Sequence, residues 1–376
     1  MNLRDRLRAI SHQQPKKPVR LHSGLVVRES LEEMPPMPLD AQGLSRMGFD
    51  DTSIGNAIYL DTETTGLSGG VGTLAFMVGI GRREGNLFHI TQYMLSDYSD
   101  EAEMLRIVAE SLRRADTVVT FNGRAFDMPL LASRYTLLRE EEPFPEARQL
   151  DLLFPARRLY KRRLGSCRFS VLEEALLDMG REDDLPGSVA PKRFFDYLKT
   201  GDSAPLEDVL RHNRQDVLSM PYLLNVLCAA YADPAGQEHR LDLYSMGRAM
   251  ERLGQREQAK ACFLLAGQSV PKTSIENLRA QSLVADANRA LSGIYRREGD
   301  LENAERIWRM MVDKGYAGIM PYVELSKLFE HRKKDCGAAL KYAETALAKA
   351  RAHEKDEIGR RIARLRAKIE KGDGKT

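Results

Sequence analysis

Cysteine is scarce: Cys167, Cys228, Cys262 and Cys336 are the only four in 376 residues. They are widely scattered and no pair has metal-ligand spacing, which excludes a disulfide scaffold and a zinc module. Reduced thiols and a cytoplasmic location are therefore expected. No apolar run approaches the roughly 18 residues needed to cross a bilayer, so no membrane partner is expected. The opening Met1-Asn2-Leu3-Arg4-Asp5-Arg6 is charged and has no apolar segment behind it, unlike a secretory signal. Nor is there a dominant charge, the formal net being +3. With 43% hydrophobic and 30% charged residues, the composition excludes full disorder and collagen. The length predicts two or three domains, at roughly 100–200 residues each.

What charge there is lies unevenly. Residues 332–376 hold 14 Lys/Arg against 7 Asp/Glu. A nucleic-acid contact and a solvated helix face both account for such a basic end.

Residues 1–50 read as a poorly ordered leader. They contain Pro15-Lys16-Lys17-Pro18 and Met34-Pro35-Pro36-Met37-Pro38 and lack sustained periodicity. Residues 51–232 then alternate in period. Ile58-Tyr59-Leu60 is a short buried strand, and Leu74, Phe76, Val78 and Ile80 have strand spacing. Gly85-Asn86 is a hairpin turn leading to a third strand over 87–95. Ser99 is the expected cap of a helix carrying Met104, Leu105, Val108 and Leu112. Strands follow at 117–121 and 150–154, with helices after Pro129 and Ser170 and a long one over 205–232. Five strands interleaved with helices define an α/β domain.

Residues 241–376 read as helical throughout, after a linker around Asp233-Pro234-Ala235-Gly236. Gly254, Ala259, Phe263, Ala266 and Pro271 stand at offsets 0, 5, 9, 12 and 17. Gly299, Ala304 and Trp308 repeat the first three of these, and Ala338 and Tyr342 repeat the Ala-to-aromatic step, with Lys333 in place of the turn glycine. This pattern resembles the tetratricopeptide repeat, in which small residues let paired helices pack closely. The resemblance implies a docking module for a protein partner. Ile358, Ile362, Leu365 and Ile369 are expected on an amphipathic capping helix.

The strongest chemical signal is Leu60-Asp61-Thr62-Glu63-Thr64-Thr65-Gly66-Leu67 at the end of a strand. Asp61 and Glu63 are two apart and share a face. Paired carboxylates repel unless a cation lies between them, and a hard divalent ion is the usual answer. A polar strand-end turn is the alternative. Phe121-Asn122-Gly123-Arg124-Ala125-Phe126-Asp127 puts Asp127 at a helix start. His212-Asn213-Arg214-Gln215-Asp216 puts His212 and Asp216 on one helix face.

Together, in this order, the three motifs resemble the DEDD superfamily of 3′–5′ exonucleases, whose fold is ribonuclease H-like, over about residues 57–227. Thr120-Phe121-Asn122-Gly123, Asp151-Leu152-Leu153, Arg157-Arg158-Leu159-Tyr160 and His212-Asn213 narrow the likeness to the bacterial YprB-type group. The resemblance implies a five-stranded mixed sheet flanked by helices. It also implies two Mg²⁺ or Mn²⁺ ions on Asp61, Glu63, Asp127 and Asp216, with His212 orienting or deprotonating the attacking water. His212 departs from the family pattern, since a histidine stands here at the spacing of the tyrosine subclass, four before the final Asp. DNA or RNA would be the substrate. Thr64, Asn122, Arg157, Arg158 and Tyr160 are the candidate substrate contacts, the arginines to phosphate and Tyr160 to a base. Asp151 reads as a strand cap rather than a ligand, Trp308 as core, and Ser68-Gly69-Gly70-Val71-Gly72-Thr73 as a loop without the lysine of a phosphate-binding loop. A non-catalytic ribonuclease H-like scaffold that binds through its repeats, and an endonuclease of the same fold, are the alternatives.

Overall fold

The computed structural model describes residues 19–20, 24–49, 54–66, 72–143, 148–181, 185–268, 276–316 and 318–373. The chain divides into two compact units, Met1–Asp233 and Pro234–Thr376.

The first unit is built on a mixed sheet of seven strands, in the order β1-β2-β5-β4-β3-β6-β7. These are β1 (Val19–Arg20), β2 (Val26–Glu33), β3 (Ala57–Thr64), β4 (Ala75–Glu84), β5 (Leu87–Met94), β6 (Thr117–Thr120) and β7 (Arg148–Asp151). All neighbours are antiparallel except β3 with β6 and β6 with β7. Strand β4 is buried continuously from Ala75 to Gly81, as a strand covered on both faces must be. One core joins β3 and β4 to Met104, Leu105 and Val108 of α2 (Glu101–Arg113), to Leu131 and Tyr135 of α3 (Asp127–Leu138), and to Phe194 of α6 (Ala190–Thr200). It continues into the first turns of the long helix α7 (Leu206–Ala232) through Leu206, Val209 and Leu210.

The sequence predicts five strands, and two more come from the expected leader. Where it is described, the leader is ordered. Strand β2 pairs with β5 over its whole length, and α1 (Ala41–Met47) lies against α7. Arg28 makes a two-toothed ion pair with Glu207 of α7, at 2.7 and 2.6 Å, and Arg214 of α7 pairs with Glu32. The prolines at 35, 36 and 38 fall in the connection between β2 and α1, and so did not interrupt a strand. Pro15-Lys16-Lys17-Pro18 lies outside the described residues. The expected strand over 150–154 stops at Asp151, and α4 (Leu153–Leu164) begins at once. Asp97, not Ser99, accepts the capping bond, for a single turn ahead of α2. The helix expected after Ser170 is α5 (Phe169–Leu172), which widens into a π turn over Glu173–Leu177.

The second unit contains α8 (Arg240–Arg252), α9 (Arg256–Ala266), α10 (Glu276–Glu298), α11 (Leu301–Lys314), α12 (Met320–Leu328), α13 (Cys336–Lys349) and α14 (Lys355–Asp373). Consecutive helices lie side by side. Ala259, Phe263, Ala304 and Trp308 are all buried. In the third pair the buried positions are Ala339 and Ala343 rather than Ala338 and Tyr342. A π turn over Phe329–Lys333 adds one residue, so the left-handed turn residue is Lys334 instead of Lys333. Pro271 lies outside the described residues. All four cysteines are free.

Candidate active site

The site begins where two parallel strands part. Strand β6 pairs with β3 only at Ala57, Ile58 and Tyr59, so residues 61–64 run on past it. The turn after β6 is held by Asp151 at the end of β7. Its carboxylate accepts from the backbone N–H of Asn122 at 2.8 Å, of Arg124 at 3.2 Å and of Leu153 at 3.0 Å. Asn122 takes a left-handed conformation (φ 67°) that turns the chain towards β3. Asp127 then opens α3, and the Thr62 hydroxyl donates to its carboxylate. Asp151 thus positions the loop, as expected of a cap.

The opposite flank comes from α7. On the sheet, Asp61 stands opposite Gly79 of β4, and Gly79 opposite Gln92 of β5. Gly79 lacks the side chain that would fill this row, and Asn213 fills it instead: a Cβ at Gly79 would overlap its amide. The Asn213 Nδ2 donates to the Asp61 carboxylate at 2.8 Å and to its carbonyl at 3.3 Å. Gln92 Nε2 in turn donates to Asn213 Oδ1 at 2.9 Å and to the Leu210 carbonyl at 2.8 Å. Asp61 is therefore fixed by a hydrogen-bonded row running from β5 to α7.

Three carboxylates act on Asp61. Burial, and then the charges of Asp216, Asp127 and Glu63, push the Asp61 carboxyl well above the usual carboxylate range, against the bond from Asn213. Burial lifts Asp127 to about 6, although the Thr62 hydroxyl and backbone N–H groups favour its charged form. Asp61, Thr64 and Asp127 line a cavity of about 500 Å³, together with Phe126, which is 55% exposed. The Thr64 hydroxyl donates to the Gly66 carbonyl at 2.8 Å. Glu63 is buried and does not line this cavity.

Asp216 shares a cation with Glu173. Arg181, from the segment after the π turn of α5, donates to the Asp216 carboxylate and to Glu173, whose side chain is fully buried. It also reaches His212 Nδ1 at 3.1 Å. A guanidinium only donates, so Nδ1 accepts and the proton of a neutral ring is on Nε2, which lies 3.7 Å from Asp216 Oδ2.

These residues fit a hard divalent cation in their chemistry, since every donor is a carboxylate oxygen and the field at Asp61 is strongly negative. Asp216 is instead balanced by Arg181. Among the described residues, no three carboxylate or imidazole groups are already arranged as ligands around one point.

The remaining candidates separate. Arg157 and Arg158 are exposed on α4. Tyr160 is buried, with Arg163 over its ring at 5.5 Å, and offers no face to a base. Sequence reasoning missed Asn213, Gln92 and Arg181. Asn213 stands three residues before Asp216, at same-face spacing, a signal that could have found it. Arg181 carries no periodic signal at all.

The sheet and the crevice beside β3 define the class. Residues 58–228 match the model of the RNase H superfamily. Over 335 residues the chain is 30% identical to the uncharacterized protein YprB of Bacillus subtilis (strain 168), spanning 86% of this chain and 77% of that one. The chain belongs to the YprB family, and its residues 58–228 form an RNase H superfamily domain. Among solved structures, it is similar to the family B DNA polymerase of the archaeon Pyrobaculum calidifontis, with a TM-score of 0.36 and 14% identity. That match covers 62% of this chain and 29% of the polymerase. Among the described residues, no helix is long and apolar enough to cross a membrane.

Proposed function

We propose that the chain is a metal-dependent 3′–5′ exonuclease that hydrolyses phosphodiester bonds of nucleic acid, preferring single-stranded ends. The observation that carries this reading is the convergence of the Asp216, Asp127 and Glu63 charges on buried Asp61, beside a cavity lined by Asp61 and Asp127 in an RNase H superfamily domain. Asp61, Glu63, Asp127 and Asp216 would hold two Mg²⁺ or Mn²⁺ ions. When bound, such ions supply charge stabilisation for both the entering and the leaving oxygen of an in-line displacement. The chain's own residues do the rest. Asn213 and Gln92 hold Asp61 in register, and Thr62 orients Asp127. Phe126, exposed at the cavity, offers a stacking face for a terminal base in place of Tyr160. His212 would orient or deprotonate water once its Nδ1 is released from Arg181. The second unit, read as tetratricopeptide-like, would dock a protein partner or the outgoing strand.

The test is digestion of 3′- and 5′-labelled single-stranded and duplex DNA and RNA by the purified full chain, with Mn²⁺ or with chelator. Stepwise shortening from the 3′ end, dependent on Mn²⁺ and lost in Asp61→Asn, is expected. Internal cuts would make it an endonuclease. The Arg181–Asp216 pair favours a second reading, a non-catalytic scaffold. Absence of cleavage of every substrate would establish that reading.

A further inference from the structure

The position of Arg181 has a consequence for how the site takes up metal, and it rests on the carboxylate site proposed above. Its guanidinium touches Asp216, His212 Nδ1 and Glu173 together, and lies 5.9 Å from the Phe169 ring, which itself stacks on Phe121 at 4.3 Å. Arg181 and Glu173 are almost wholly buried, their side chains 8% and 0% exposed. Ser219 and Gln215 of α7 also bond to Glu173, so the anchor of Arg181 is built into the same helix that carries Asp216. This is a held cation and not a surface arginine resting on an acidic patch.

We propose that Arg181 is a built-in counter-cation that competes with a divalent ion for Asp216 and, while bound there, withholds the Nδ1 of His212. In the metal-free site Asp216 is thus already satisfied by a guanidinium. Asp61 and its neighbours would take up one divalent ion first, and Asp216 would help to hold a second only as Arg181 releases it. The same movement frees His212 Nδ1 to accept a hydrogen bond from another donor. Glu173 keeps the displaced guanidinium nearby, so the contact is reversible.

The experiment is a titration of Mn²⁺ into the full metal-free chain, with free ion read by electron paramagnetic resonance. The wild-type chain is expected to show one site and a second at least tenfold weaker. In Glu173→Gln/Arg181→Gln, which removes the guanidinium with the buried carboxylate that it neutralises, the second site is expected to tighten at least tenfold. Two equally tight sites in the wild type would overturn the proposal. So would an unchanged second site in a double variant whose melting curve shows it folded. The first measurement needs no variant, so a variant that fails to fold does not shield the idea. A wild-type chain that binds no Mn²⁺, or an Asp61→Asn chain that loses none, would instead remove the carboxylate site on which the proposal stands.

Discussion

Asp127 shows most simply what confinement does to a single carboxyl. Its ordinary value of 3.8 rises to about 6 on folding, because burial disfavours the charge. A raised acid makes the folded state bind more protons than the unfolded one between these values, so stability falls as pH climbs through the interval. Below about pH 4 the group is neutral in both states and the full benefit is present. Metal-free wild type is therefore expected to melt lower at pH 7 than at pH 4 relative to Asp127→Asn, whose amide does not titrate. At pH 7 the variant should hold its stability or gain about 1–3 kcal/mol, by the conversion of pKa units to free energy, while losing cleavage. Undiminished cleavage would remove Asp127 from the chemistry. His212 needs a different measurement, because metal-bound water also titrates. In single-turnover cleavage at saturating Mn²⁺, His212→Ala should lose about 10²–10⁴-fold if the ring takes a proton. A loss below tenfold would leave it a helix residue that supports Arg181.

The contact between β4 and α7 determines whether Asn213 meets Asp61, and Gly79 sets how closely the two can approach. Gly79→Ala places a methyl group on the Asn213 amide. Overpacking of this kind costs about 1–3 kcal/mol, and the helix must shift, carrying Asp216 with it. Thermal melting should record the destabilisation, and cleavage should drop further than stability explains. In the second unit, Glu330 is fully buried and bonds to Arg361, Arg364 and Lys368. Although burial opposes it, the bonds from Arg364 and Lys368, with the nearby His331, lower its carboxyl to about 2. Its contribution is complete above about 4.5 and fades as pH falls towards 2. Glu330→Gln should cost about 3 kcal/mol in melts near neutral pH, the lower end of the range for breaking buried ion pairs. At this scale the sequence was partly readable. The Asp61 and Glu63 pair follows from strand spacing, and α7 from its length and periodicity. Strand β2 was hidden because prolines crowd the connection just after it and its partner, β5, lies some 60 residues on. Helix α4 was obscured by its arginines, although Ala156, Leu159 and Tyr160 form a buried stripe. The third helix pair slipped by one residue at a π turn, which no side-chain pattern announces.

At the scale of the molecule, the division at Asp233 makes a strong expectation. A fragment of residues 1–236 should fold with a single cooperative melt, bind Mn²⁺ and shorten small oligonucleotides. If it folds and is inert, the helical unit contributes to the site. Residues 1–40 should not be removable from that fragment, because Arg28–Glu207 and Glu32–Arg214 clamp β2 to α7. Those clamps span 179 and 182 residues, and the Asn213–Asp61 bond spans 152. Contacts this distant in sequence form late, since closing long loops costs entropy before any contact offsets it. During synthesis, then, a nascent chain carries Asp61, Glu63 and Asp127 for nearly a hundred residues before Asp216 emerges to join them, and the two ends of the domain must meet before the proposed site exists. Until α7 has left the ribosome, the nascent chain holds three of the four proposed metal ligands without the fourth, so the site stays incomplete through the first part of synthesis.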